Sequence, residues 1–437
     1  MGEGDMTRTG DGRTADGRTA DGRTAVGRTA DRYTVVSADC HAGADLLDYK
    51  PYLEKRYHDD FDAWAATYVN PYEDLLADTA DRNWNSGRRL AELEADGIVA
   101  EVVFPNTIPP FFPSASLLAP VPTRQELERR WAGLRAHNRW LVDFCGQVPG
   151  RRAGVAQILL NDVEQAAREV RWAREAGLTG GVLLPGVPPG SGIPELYSKA
   201  YDPLWAVCAE LDVPVNHHGG SASPPLGDEP AARAVFMVET TWFSHRALWH
   251  LVFGGVFRRH PTLRLVLTEQ GSGWIPGVLE MLDYYHERLV SAAGRSAATA
   301  ESKFGAGLAE SMGPRPSEVW RANVHVGASF MRPHEVPLRE RIGLGKIMWG
   351  SDYPHDEGTH PYSREGLRAA YAGLPAEEVA AMVGGNAARV YGFDPEFLAP
   401  IAARVGPTVA QIAEPLVQAP ADATSPAFAP GGGVRVW

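Results

Sequence analysis

TVVSADCH, residues 34–41, is the stretch on which the fold turns. Thr34, Val35 and Val36 are β-branched, apolar side chains recur up to Cys40, and the run ends on Asp39 and His41, two positions apart. A short run of this kind with polar groups at its end reads as a buried strand whose C-terminal tip carries chemistry. No Gly-x-Gly-x-x-Gly follows it, which argues against a dinucleotide-binding open sheet. Moving outward, seven similar runs occur at 99–106, 153–160, 181–186, 213–219, 263–271, 324–329 and 346–355. Helical patterns stand between most of them, at 88–95, 164–176, 201–211, 276–292 and 338–342. Eight strand-and-helix units predict an α/β fold of one kind, a (β/α)₈ TIM barrel with helical insertions. The connections at 107–150, 221–250 and 285–320 are longer than ordinary βα loops, and are expected to form lids or an oligomer interface.

The flanks differ in composition. Residues 11–30 repeat DGRTA three times and then VGRTA, without one large apolar side chain. Such a segment cannot offset its ordering entropy, so 1–32 is expected to be a disordered tail. Its six arginines and six acids cancel, so the formal charge of 42 − 54 = −12 belongs to the remainder. The barrel is expected over 33–398, and an Ala/Pro-rich extended arm over 399–437.

An acidic balance is a poor match for polyanions, so no nucleic-acid partner is expected. No apolar run approaches the roughly 20 residues of a membrane helix, and the N-terminus has no basic-then-apolar signal pattern. Cys40, Cys145 and Cys208 are widely spaced and suit a reducing, cytoplasmic setting.

In a barrel of this class the active site lies at the C-terminal strand ends. Asp39 and His41, at i and i+2, point to one side of an extended strand, the geometry of a two-ligand metal clip. The fifth run ends His217-His218-Gly219, and adjacent strand residues face opposite ways, so one imidazole turns inward; His218, nearer the end, is the expected ligand. The eighth run is followed at once by Asp352, placed to ligate a metal or act as a general base. After the sixth run stands Glu269, a carboxylate at an apolar mouth, where a raised pKa suits acid–base work. Trp274, His355 and Arg88 are candidates for substrate binding, with Arg82 and Arg89 as further cations near the mouth. Each feature alone has an ordinary structural reading, such as a helix cap for Asp352; their convergence on strand ends is what carries the argument.

The segments VVSADCHAG (35–43), WNSGRRLAELEADGIVAEVVFPN (84–106), VPVNHHGG (213–220), GGVFRRHPTLRLVLTEQGSGW (254–274), KIMWGSDYPH (346–355) and GGNAARVYGF (384–393) resemble, in order, the amidohydrolase-related family. The branch they resemble includes aminocarboxymuconate-semialdehyde decarboxylase. The resemblance implies a (β/α)₈ barrel with one divalent metal, held here by Asp39, His41, His218 and Asp352. Zinc is the expected ion, with manganese or iron as alternatives. A D-x-H pair stands where the family often has H-x-H or E-x-H, and Glu269 stands where its decarboxylases carry a catalytic histidine.

That second departure favours hydrolysis of a small amide, lactone or ester by a metal-activated water, with Asp352 and Glu269 as the catalytic carboxylates. Non-oxidative decarboxylation of a small aromatic or unsaturated acid is the alternative, and a non-catalytic barrel is a third reading. The ligand is expected to be a small molecule, and the assembly a homodimer.

Overall fold

The computed structural model describes residues 27–29, 31–225, 227, 229–292, 308, 311–327 and 329–429 of the 437. Most of the tail expected at 1–32, and the last residues of the arm, lie outside this set. The predicted barrel is present. Its strands are β1 (Val35–Ala42), β2 (Ile98–Pro105), β3 (Arg152–Gln157), β4 (Gly181–Leu183), β5 (Val215–His218), β6 (Leu265–Thr268), β7 (Val324–Gly327) and β8 (Ile347–Met348). They pair in sequence order, each parallel to the next. The ring closes through Ala38 N–H to Trp349 O (2.8 Å), Asp352 N–H to Asp39 O (2.9 Å) and His41 N–H to Tyr353 O (2.7 Å).

Every strand residue is buried, as expected where helices cover the outside and side chains fill the inside. The pleat sorts them. Val182, Leu265 and Ile347 join the large cluster shared with the surrounding helices, whereas their neighbours Leu183, Val266 and Met348 join a second cluster with Val36, Val102 and Val155. Tyr391 belongs to that second cluster, and its hydroxyl donates to Asn216 Oδ1 on β5 (2.8 Å).

β1 departs from regular pairing. Ser37 opposes Glu101 but Cys40 opposes Val103, so one extra residue is accommodated between them. Val36 packs with Val266 and Met348, yet Asp39, three positions on, stands beside His218. A bulge is the device that re-aims side chains in this way.

The long connections hold structure of their own. Helix Leu127–Gly146 packs on β3, and Pro230–Phe253 is the longest helix described. The third connection continues helix Ile275–Ala292 before leaving the described residues. Of the arm expected from 399, the first part is helical: Pro395–Val405 buries Leu398, Ala402 and Val405 against β2, and Val409–Ala413 follows. Among the described residues no helix is long and apolar enough to cross a membrane.

Candidate metal centre

Four strand ends converge at one mouth of the barrel. β1 presents Asp39 and His41, β5 presents His218, Glu269 follows β6 directly, and Asp352 lies four residues beyond the end of β8. Asp39, His41, His218 and Glu269 offer ligand atoms that all lie within 4.8 Å of one another, and His41, Asp352 and His355 form a second, overlapping group. His41 Nε2 is 3.3 Å from Asp39 Oδ1 and 3.2 Å from Asp352 Oδ1. His218 Nε2 is 3.6 Å from Asp39 Oδ1 and 3.2 Å from Glu269 Oε2.

The chain itself fixes which atoms face inward. His41 Nδ1 donates to Pro105 O (3.2 Å) and His218 Nδ1 to Gly219 O (3.0 Å), which leaves both Nε2 atoms for the cluster. Asp39 Oδ2 accepts from Ser329 Oγ (2.8 Å), leaving Oδ1. The freed atoms Asp39 Oδ1, His41 Nε2 and His218 Nε2, together with Asp352 Oδ2, are buried and lack a hydrogen-bond partner. Orphaned polar atoms at this depth are costly unless something pairs with them. Their convergence fits one divalent cation, and two imidazoles with carboxylate oxygens suit a first-row ion.

The charge balance points the same way. Burial opposes ionisation of His41, but the adjacent carboxylates of Asp352 and Asp39 outweigh it and raise its pKa to about 10. His218 rises to about 9 against the same burial, through Asp39 and Glu269. Asp39 is held well below the carboxylate range because the adjacent His218 and His41 imidazoles overcome desolvation. Glu269 goes the other way: burial first, then the Asp352 charge, pushes its carboxyl up to about 7. Carboxylates that draw positive charge onto neighbouring imidazoles make a field that a dication would satisfy.

Backbone strain concentrates here. Glu269 (φ 52°), Ser329 (φ 41°) and Asp352 (φ 59°) all occupy the left-handed region, which non-glycine residues rarely adopt outside functional sites. Behind the centre, a Cβ on Gly350 would stand 2.6 Å from Asp39 Cβ, so only glycine lets the last strand pass that close.

His355 is charged by its surroundings. Asn83 Nδ2 donates to Ala80 O (3.0 Å), which turns Asn83 Oδ1 toward Asn106 Nδ2 (2.8 Å). Asn106 Oδ1 must then accept from His355 Nε2 (3.0 Å), while Asp352 Oδ1 accepts from His355 Nδ1 (2.9 Å). Both ring nitrogens are donors, so the ring is an imidazolium. It lies against His41 with ring centroids 4.2 Å apart.

His41, His218, Glu269 and His355 line a cavity of about 440 Å³, completed by Asn106, Tyr72 and the 115–118 segment. Two expected substrate contacts are not in its wall. Trp274 stacks on His245 (3.8 Å), and its Nε1–H donates to Gln270 O and Gly271 O, so the bend turns the indole away. Arg88 is taken up by Asp81 and Glu92 on and beside its own helix, Ser86–Ala95. Arg82 also pairs with Glu92. Arg89 is fully buried against Glu101 and donates to His41 O (2.7 Å), so it supports β1 from behind. His217 faces the opposite way from His218, bonded to Leu184 O and Ser221 Oγ. Sequence reasoning passed over Ser329 and Asn106, although both end predicted strand runs and the strand-end rule would have selected them.

Comparison with known proteins places this geometry. The amidohydrolase family model matches residues 38–393. A gamma-resorcylate decarboxylase of Rhodococcus jostii is 33% identical over 184 residues, 39% of this chain and 54% of that protein. One from Polaromonas sp. is 26% identical over 254 residues, 49% of this chain and 74% of that one. The first match thus spans about half of the relative's length. A solved 5-carboxyvanillate decarboxylase of Novosphingobium aromaticivorans, with bound manganese, shares the fold at TM-score 0.58 and 23% identity, over 82% of this chain and 97% of that one. These relatives are named decarboxylases, which overturns the hydrolytic reading drawn from Glu269 standing in place of a histidine. With the family model matched over most of its length, the chain belongs to the amidohydrolase family, whose barrel and strand-end polar cluster it displays.

Proposed function

We propose that this protein is a divalent-cation-dependent, non-oxidative decarboxylase of a small hydroxylated aromatic acid. The carrying observation is the cluster of Asp39, His41, His218 and Glu269 opening into a cavity of benzoate-like capacity, in a chain whose relatives are named for this reaction. Asp39, His41, His218 and Asp352 would hold the ion. When bound, the cation would supply Lewis-acid anchorage for the substrate carboxylate and an adjacent phenolic oxygen. The donor set is evenly divided between two imidazoles and two carboxylates, so it is the manganese of the related structure that supports manganese over zinc.

The residues divide the remaining work. His355, a cation in the cavity wall, orients the anionic substrate, and Asp352 and Asn106 keep its ring in place. As the bond to the carboxyl carbon breaks, CO₂ leaves and its electron pair stays on the ring carbon, which must take up a proton. Glu269 lines the cavity 3.2 Å from His218, and desolvation and the Asp352 charge push its carboxyl up to about 7. It is therefore our choice of proton donor.

The test is to supply manganese-loaded protein with 2,6-dihydroxybenzoate and 5-carboxyvanillate in D₂O. CO₂ release with one deuteron placed on the ring is expected, with at least a hundredfold loss in Glu269→Gln. Absence of CO₂ from a panel of hydroxybenzoates would overturn the reading. The exposed apolar side chains of Val235, Met237, Val238 and Trp242 on one helix support a homodimer as the working assembly. The free thiols of Cys40, Cys145 and Cys208 support a cytoplasmic setting.

A further inference from the structure

A second cavity, of about 920 Å³, lies beside the metal cavity and shares with it the wall formed by Ser116, Leu117, Leu118 and Gly220. Its lining is mainly apolar, with Phe112, Leu160, Ile193, Phe236 and Met237 among the contributors. Two fully buried polar side chains break that lining. Arg130, on helix Leu127–Gly146, is 2% exposed, and its Nε and Nη1 have no hydrogen-bond partner. Its guanidinium lies 4.5 Å from the Phe112 ring centre, and its nearest carboxylate oxygen, on Glu126, is 3.5 Å from Nη2. Gln157, the last residue of β3, is likewise 2% exposed; its backbone is satisfied by Asn138, yet neither atom of its side-chain amide has a partner.

A buried guanidinium with two unpaired nitrogens and a buried unpaired amide are expensive to keep beside an empty apolar wall. Their unpaired N–H groups become explicable when a ligand supplies the acceptors. A buried guanidinium N–H donates strongly to a carboxylate oxygen, and an amide N–H can add a further bond. Among the described lining residues Arg130 is the one buried cation, Arg233 being exposed, and one buried positive charge fits a carboxylate better than a phosphate dianion. The volume is that of a small-molecule site.

We propose that this chamber binds an amphipathic monocarboxylate, its apolar body among Phe112, Leu160, Ile193 and Phe236 and its carboxylate on Arg130, with Gln157 donating beside it. This site is separate from the metal cluster and does not depend on the reaction assigned above.

Decanoate and decanol are the probes, titrated calorimetrically into the full-length protein, manganese-loaded and chelator-treated, and into Arg130→Met and Gln157→Leu. Decanoate is expected to bind the wild type with the same affinity whether or not metal is present. It should weaken at least tenfold in Arg130→Met and about threefold in Gln157→Leu, while decanol binds wild type and both variants alike. Should Arg130→Met fail to fold, Gln157→Leu carries the test. No decanoate binding at millimolar concentration, equal affinity in wild type and folded variants, or loss of binding on chelation would each overturn the proposal, the last by assigning the probe to the metal cavity.

Discussion

At the scale of single residues, the centre depends on side chains whose other hydrogen bonds are already spent. His41 and His218 commit Nδ1 to carbonyls, and Asp39 commits Oδ2 to Ser329, so each has one atom left to offer. Protein purified without chelator is accordingly expected to carry about one manganese, zinc or iron per chain by elemental analysis, and Asp39→Ala and His41→Ala to carry less than a tenth of that. Gly350 sets a steric condition on the same site. A methyl there would press on Asp39 Cβ at 2.6 Å, so Gly350→Ala should lower stability by roughly 1–3 kcal/mol and weaken metal uptake, read by denaturant melts and by metal titration. The D-x-H of β1 could be read from the sequence because two residues on one strand fix their own relation. The charge on His355 could not, since it follows from Asn106, Asn83 and Ala80, which lie about 250 or more positions away in the chain.

At the scale of elements, a buried ionic knot ties β2 to its neighbours. Glu101 on β2 receives Arg89 from helix Ser86–Ala95 and Arg152 from β3, at 2.6 and 2.9 Å. Burial would raise the Glu101 carboxyl, but the two guanidiniums overcome it and hold the pKa at about 2, against 4.5 ordinarily. A carboxyl depressed by folding adds stability that is complete above the unfolded value and is lost as pH falls toward the folded one. Unfolding free energy should therefore drop by about 3 kcal/mol, to order of magnitude, between pH 4.5 and 2. Glu101→Gln should remove most of that slope, and should cost about 3–5 kcal/mol at pH 7 by stranding two buried cations. Urea melts across pH check both. The strands were legible because buried parallel strands are near-continuous apolar runs. The bulge in β1 was not, for an extra residue shows only against the partner strand it fails to match.

At the scale of the molecule, the cluster joins β1, the first strand, to β5, the segment after β6 and the segment after β8. A ligand bound only by the folded barrel should stabilise the whole of it. Manganese at 100 times its dissociation constant is expected to add about 2.7 kcal/mol and chelator to remove it, seen as a shift in thermal midpoint; equal midpoints in both conditions would count against the site. By itself the sequence determined the barrel, the four strand ends that carry chemistry and the family resemblance, because strand patterning and the polarity of strand tips are local properties of the chain. Only the tertiary structure decided that Glu269 joins the cluster, that Trp274 and Arg88 are spent elsewhere, and that Arg130 and Gln157 share an apolar chamber. Those are distances between residues remote in sequence, set by how eight strands close into one ring and by which hydrogen-bond partners that closure leaves over.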